Sequence, residues 1–399
     1  SSKPSTGGEA TCKIVAAEHL HADGRVQVEW SSGDRSEYPW VWLRDNCQCP
    51  QCFHPVSLSR TFKLKELDLK LKPTNTLIED GELRVSWSDG HESRHGSSWL
   101  QERAFEKQPR AKRTLVHRVP RQYWEASLPS VDWTRLLQED AMLLQWLLLV
   151  EQYGLVLVHG VPKHSGCVKL LAERVAFIKR THYGRDFSVI AKPNPSNVSY
   201  SNNALALHLD LPYYFYKPGV QLIHFVHQYE GEGGDSLVSD ALQVAEHMRQ
   251  HVPHLFHLLT TVPVDWVDHA TEDDREYFKT LKMPILCLEE DRQTIWRVNF
   301  SQPQRDSFFS ECPLDKVCQW YEALKTFHDL LYDPRFCRTF KMESGSLMTL
   351  DNLRVTHGRV GYPDGGEVKR HVEGCYIDWD EMLSRRRVLQ RRLLHQTEQ

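Results

Sequence analysis

His208 and Asp210 stand two positions apart in the run Ala206-Leu207-His208-Leu209-Asp210-Leu211-Pro212. On an extended strand, residues so spaced share a face, so one imidazole and one carboxylate can reach the same point. The same strand cannot supply a third ligand. The sequence offers one far downstream, His357 in Val355-Thr356-His357-Gly358-Arg359, after a strand-like run from Ser346 to Asp351. Two histidines and one carboxylate are the set with which non-haem Fe(II) oxygenases hold their metal, leaving open positions for co-substrate and O₂. With 21 histidines in 399 residues, a His-x-Asp triplet alone arises easily by chance. Arg370, downstream of His357, adds weight. A guanidinium there can pair bidentately with the far carboxylate of 2-oxoglutarate.

A second constellation is Cys47-x-Cys49-x-x-Cys52. Three thiols so close make either a metal knuckle or a redox cluster. One more ligand would complete a closed, tetrahedral Cys₃His zinc site, which is structural rather than catalytic. His54, His91 and His95 are the candidates, and His54 is too near Cys52 to complete the site comfortably. Ten cysteines in a chain of this length are not a disulfide scaffold and point to a reducing compartment.

The elements that must carry these residues are read from periodicity. Cys12 to about Trp99 reads as a small β-rich domain. Val26–Trp30 alternates, a turn follows at Ser31–Asp34, and Glu37 to Leu43 is expected as the next strand. Leu83–Trp87 followed by Asp89-Gly90-His91 repeats the pattern, with Asp-Gly as a hairpin signal. Residues 1–108 are therefore expected as one domain and 109–129, rich in Arg, Lys and Pro, as a linker. Residues 130–399 form the second domain. There, Asp132 to Val150 has helical spacing, Gly154 to Val161 is a buried strand, and Val168 to Thr181 is amphipathic. Short β-runs follow at Val198–Tyr200, Ala204–Leu207, Val220–Val226, Leu237–Val238, Thr294–Asn299, Leu347–Thr349 and Val372–Asp378. Helices are expected near Ala241–Gln250 and Lys316–Leu331. Periodicity alone gives a mixed α+β, β-rich chain.

Hydrophobic content of 40% and charged content of 26% are ordinary for a globular protein, and a net charge of −4 gives no basic field for nucleic acid. The longest apolar run, Met142 to Val150, is too short to span a membrane. Ser1 to Ala10 lacks the apolar core of a signal peptide, so a cytoplasmic location is expected. A mitochondrial one stays open, because the sequence does not start with Met.

His208-x-Asp210, Asp351 to Arg359, and Arg370-His371-Val372-Glu373-Gly374-Cys375-Tyr376-x-Asp378-Trp379-Asp380 together resemble the gamma-butyrobetaine dioxygenase family, a likeness running from about Trp40 to about Arg392. The resemblance implies a double-stranded β-helix (jelly-roll) core with a small N-terminal zinc-binding β domain. It implies Fe(II) at His208, Asp210 and His357, 2-oxoglutarate on Arg370 and Ser236, and His91 as the zinc histidine, with His95 second. Ascorbate would serve as reductant. Tyr183, Phe187, Tyr200 and Tyr376 match an aromatic cage for a trimethylammonium group, Phe187 standing where the family more often has Trp. Asn197 and Asn299 match the amides that contact the substrate carboxylate. Leu209 and Leu211 to Tyr216 depart from the usual, more polar run and could cover the substrate pocket or simply pack. The implied reaction is hydroxylation of gamma-butyrobetaine to carnitine, with 2-oxoglutarate going to succinate and CO₂. Trimethyllysine or a trimethylammonium phosphonate is the alternative substrate, and a silent zinc-domain scaffold the alternative class. A homodimer is also implied, and the apolar Met382, Leu383, Val388, Leu389 and Leu393 of a C-terminal helix offer it a face.

Overall fold

The computed structural model describes residues 13–105, 118–125, 127–190, 202–272, 274–309, 311–363 and 370–397. The chain divides into two compact units, residues 1–117 and 118–399.

The first unit is built from two three-stranded antiparallel sheets. One orders Ile14–Leu20, Arg25–Trp30 and Arg35–Pro39; the other orders Pro73–Glu79, Glu82–Trp87 and Glu92–Gly96. Alternation buries Val26, Val28, Leu83 and Val85 in one core with Tyr38, Leu43 and Leu100. The strand expected over Glu37 to Leu43 ends instead at Pro39, and Trp40–Asp45 is helical. Pro39 has no N–H for a ladder, and the helix lets Leu43 stay in the core without extending the sheet.

In the second unit a six-stranded sheet runs in the order Asp186–Ile190, His371–Ile377, Val220–His227, Ser346–Asp351, Leu155–His159, Ser130–Asp132. A four-stranded sheet runs Leu205–His208, Val355–Arg359, Ser236–Asp240, Cys337–Phe340. Leu155, Ile223, Phe225, Met348 and Val372 of the first meet Val238 and Val355 of the second in one cluster. The two sheets thus face each other as in a jelly roll. Helices cover the outside. The expected helix from Asp132 is two, Trp133–Gln138 and Asp140–Tyr153, parted at the extended Glu139. The second of these packs on the larger sheet. The hairpin of Val264–Glu272 with Arg275–Met283 and the helix Pro253–Thr261 have no counterpart in the reading of the sequence.

Two further expectations change. Of the expected linker, residues 118–125 and 127–129 belong to the second unit, where Trp124 is buried and its Nε1 donates to the Tyr153 carbonyl at 2.9 Å. The C-terminal helix Trp379–Thr397 buries part of its apolar stripe within its own unit. Met382 and Leu389 are each 1% exposed, packed with Leu147 and Val150 of its own unit, whereas Leu383, Val388 and Leu393 are half-buried. Among the described residues no helix is long and apolar enough to cross a membrane.

A buried ion pair ties the shell to the smaller sheet. Asp240 caps the helix Ala241–His251, and Arg354 Nη2 meets its carboxylate at 2.7 Å, both side chains at most 2% exposed. Leaving one such charge unpartnered costs about 3–5 kcal/mol. Arg354→Ala should therefore lower the unfolding free energy of the second unit by about that amount in urea titration. A loss under about 1 kcal/mol would mean that solvent reaches Asp240.

Candidate active site and metal centres

His208 ends the strand Leu205–His208 and lies directly across from His357 in the antiparallel pair with Val355–Arg359. The two strands approach closely at Gly358, where a Cβ would stand 2.6 Å from the Leu205 carbonyl oxygen. The imidazole centroids are 4.4 Å apart. Asp210 lies past the end of the strand and is held in place by backbone. Its N–H donates to Asn352 Oδ1 at 2.8 Å, and Asn352 Nδ2 donates back to the Asp210 carbonyl at 3.0 Å. Leu211, next along, takes a positive φ of 56°, turning the chain away from the carboxylate.

The Asp210 oxygens have separate tasks. Oδ2 accepts from Gln221 Nε2 and from the Tyr376 hydroxyl, each at 2.6 Å. Oδ1 faces His208 Nε2 at 3.0 Å and His357 Nε2 at 3.8 Å. Burial alone would raise Asp210, but its bond to His208 and the pull of His357 hold it far below the usual carboxylate range. Burial and Asp210 push the Tyr376 phenol well up, so it stays a donor. Burial, then His208, push His357 down to about 3, so that ring is neutral. His208 Nδ1 lies 2.9 Å from the Ala206 carbonyl, which can only accept, so Nδ1 carries a proton and Nε2 is the nitrogen turned to the cluster. One ligand atom from each of the three residues lies within 4.8 Å of the others. Two imidazoles and one carboxylate oxygen, oriented by their outer partners, fit a divalent transition metal with open positions.

These residues line a cavity of about 510 Å³. Arg370 is on its wall, just ahead of the strand His371–Ile377, and Tyr376 is six residues further on, about 20 Å away along that strand. At the Arg370 end stand Ser236 and Arg359, which are direct cross-strand partners. Arg370 Nε donates to Gln228 Oε1 at 3.1 Å and forms no ion pair among the described residues. Burial, then the adjacent Arg359, lower it to about 10, so it remains a cation. At the Tyr376 end, Phe187 is 5.4 Å from Tyr376 and 6.4 Å from Tyr183, centroid to centroid. Phe187 lies over Gly374, its direct cross-strand partner, where a Cβ would stand 2.3 Å from the ring.

In the first unit, His91 follows Gly90 in the turn between Glu82–Trp87 and Glu92–Gly96. Its Nε2 is 3.4, 3.7 and 3.5 Å from the sulfurs of Cys47, Cys49 and Cys52. Zinc bonds of about 2.3 Å to sulfur and about 2.0 Å to nitrogen at tetrahedral angles put those atoms about 3.5 Å apart, so the four residues fit zinc. Burial and the Cys47 sulfur push Cys52 up to about 12. Three thiols in this space need a cation before they can share several negative charges.

Residues 112–376 match the family described as Taurine catabolism dioxygenase TauD, TfdA family. Residues 18–101 match Gamma-butyrobetaine hydroxylase-like, N-terminal. A human gamma-butyrobetaine dioxygenase is 35% identical over 385 residues, 96% of this chain and 98% of that one. The chain belongs to the gamma-butyrobetaine dioxygenase family. A Pseudomonas gamma-butyrobetaine dioxygenase is 33% identical, with 92% of this chain and 94% of that one covered. A Gallus gallus relative named mitochondrial trimethyllysine dioxygenase is 28% identical, with 97% and 94% covered.

Of the site residues expected in this dioxygenase, the cavity collects His208, Asp210, His357, Arg370, Ser236, Tyr183, Phe187 and Tyr376. Asn197 and Tyr200 lie outside the described residues. Asn299 is placed elsewhere: fully buried, it accepts from Arg297 Nε at 2.7 Å, and it does not line the cavity. Its amide serves the buried guanidinium, which correspondingly has no need of an acid. The sequence reading did not assign Gln221, Arg359 or Asp268 to the site. Arg359, two positions from His357 on one strand, carried a signal that alternation alone could have read. Asp268, on the unforeseen hairpin, carried none. Of the aromatic run, Tyr213 lines the cavity, whereas Phe215 and Tyr216 are more than 70% exposed.

The choice between His91 and His95 is testable. His95 is fully buried and neutral, lowered to about 4 by burial. His91→Ala should purify with most of its zinc lost by elemental analysis, and His95→Ala should keep about one ion per chain. Loss only in His95→Ala would contradict the assignment.

Proposed function

We propose that this protein is an Fe(II)- and 2-oxoglutarate-dependent dioxygenase that hydroxylates gamma-butyrobetaine to carnitine, with a structural zinc in its N-terminal unit. The observation that carries the reading is one cavity with a guanidinium that makes no ion pair among the described residues at one end, a His₂Asp cluster along it, and an aromatic group at the other. Iron with 2-oxoglutarate and O₂ supplies the oxidising equivalent for a C–H bond, one oxygen atom going to substrate and the other to succinate as CO₂ leaves.

The protein's share is placement. Arg370, with Ser236 beside it, takes the distal carboxylate of 2-oxoglutarate as a charge-assisted pair. Arg359 keeps that end electropositive. His208, Asp210 and His357 hold the metal, and Gln221 and Tyr376 fix which Asp210 oxygen faces it. Tyr376 also presents its ring beside Phe187, so head-group binding and ligand orientation meet in one side chain. Tyr183 adds a third face to a cation that can donate no hydrogen bond. With Asn299 engaged elsewhere, the cavity-lining Gln302 and Gln304 amides are the neutral groups suited to the substrate carboxylate. The surrounding apolar walls, Ile223, Phe225 and Met348, keep water away from the reacting carbon. The described cysteines form no disulfide, which suits a reducing compartment, the cytoplasm in this reading. A homodimer enters through the family resemblance alone.

Succinate release measured with a panel of betaines tests the reaction. It should be stoichiometric with hydroxylated gamma-butyrobetaine and slower with trimethyllysine. Faster turnover of trimethyllysine would shift the substrate, and no betaine-dependent release at all would leave a scaffold. Arg370→Ala should weaken 2-oxoglutarate by about 2–5 kcal/mol, the usual cost of truncating a buried charge pair. Gamma-butyrobetaine affinity at saturating co-substrate should change by less than about 1 kcal/mol. Equal losses for both ligands would make Arg370 structural.

A further inference from the structure

One charged side chain in the cavity has no part in the chemistry above. Asp268 lies on the hairpin strand Val264–Glu272 and lines the same space as Tyr183, Phe187, Tyr213 and Tyr376. The Tyr213 hydroxyl hydrogen-bonds to its carboxylate. Asp268 Oδ2 is nonetheless buried with no hydrogen-bond partner among the described residues.

Neither neighbouring base meets it as a paired cation, although Lys279 favours its charge from a distance. His182 Nε2 stands 3.5 Å from Oδ2, out of line for a hydrogen bond. Burial, then Lys279, push His182 down to about 4, so its ring is uncharged, and its Nδ1 is held 2.8 Å from the Tyr214 hydroxyl. Lys279 is the direct cross-strand partner of Asp268, yet its ammonium lies 3.9 Å from the centre of the Tyr277 ring instead. Asp268 is half-buried, and burial raises its carboxyl above the usual range despite Lys279 and His269, so its charge is costly and a ligand that brings a cation relieves the cost. A quaternary ammonium spreads its charge over methyl groups and needs a nearby negative oxygen, with no demand on hydrogen-bond direction.

Resting on the betaine reading, we propose that Asp268 is the counter-ion of the substrate's quaternary ammonium, so that the head group is selected by a carboxylate as well as by aromatic faces. The hairpin that carries it is then a specificity element and not merely a cover. Tyr213 holds the carboxylate by a hydrogen bond, and the neutral His182 ring stands near Oδ2 without bonding to it, which leaves Oδ2 for the ligand.

Asp268→Asn keeps the shape and an acceptor for Tyr213 and removes the charge. The readout is kcat/KM for gamma-butyrobetaine divided by that for its carbon analogue, in which tert-butyl replaces trimethylammonium. Both are measured on one sample, so a partly folded preparation cancels. The ratio should fall by at least about tenfold in Asp268→Asn, as expected for a close charge pair in a water-poor cavity. It should recover towards wild type in Asp268→Glu. An unchanged ratio in Asp268→Asn would reduce Asp268 to a prop for Tyr213 and overturn the inference alone. A wild-type protein that turns over neither compound, or both equally, would overturn the betaine reading and this inference with it.

Discussion

The close pairing of Leu205–His208 with Val355–Arg359 is the constraint on which the catalytic unit depends. It sets two imidazoles side by side across about 150 residues of intervening chain. Gly358 permits the approach, since any side chain there would meet the Leu205 carbonyl. Register in such a pair is unforgiving, because a slip by one residue turns His357 to the opposite face. The reciprocal bonds between Asn352 and Asp210 then fix a carboxylate that no longer belongs to the strand. The larger sheet contributes from the opposite wall through Gln221 and Tyr376. Both sheets must therefore be correctly stacked before Asp210 presents a single oxygen to the histidines.

Charge is distributed along the cavity in a way that matches this order. Two guanidiniums lie at one end, where burial lowers both without discharging Arg370. Two carboxylates, Asp210 and Asp268, stand near the aromatic end. The first has four polar groups around it; the second has an oxygen without a hydrogen-bond partner among the described residues. In a water-poor space these fixed charges decide the direction in which an anionic co-substrate and a cationic head group can enter.

Much of this was legible from side-chain types alone. The His-x-Asp spacing, the later histidine and Arg370 each had a reason in strand geometry or ligand chemistry, and the Cys₃ knuckle is specific at its spacing. The choice of His91 rested on resemblance and acquires a geometric reason in three near-equal nitrogen–sulfur distances. What was not legible depends on tertiary packing. The surroundings of Asn299 were not legible, because an amide next to a strand reads the same whether it meets substrate or, as here, accepts from a buried guanidinium. The C-terminal stripe reads as a partner face in sequence, although two of its residues, Met382 and Leu389, pack inside their own unit. The hairpin bearing Asp268 escaped notice because both of its strands are mostly polar and half-exposed, so neither shows clean alternation.

We infer that His208, Asp210 and His357 hold iron in a way that leaves room for 2-oxoglutarate to chelate it. The most direct test is anaerobic titration of the zinc-loaded protein with Fe(II) and 2-oxoglutarate, followed by visible absorption. Chelation through the 2-oxo acid gives a charge-transfer band that ferrous ion, protein or co-substrate alone does not. The band should saturate at one iron per chain and be absent in His357→Ala, with zinc content unaltered. A band of equal intensity in that variant, or none in the wild type, would contradict it.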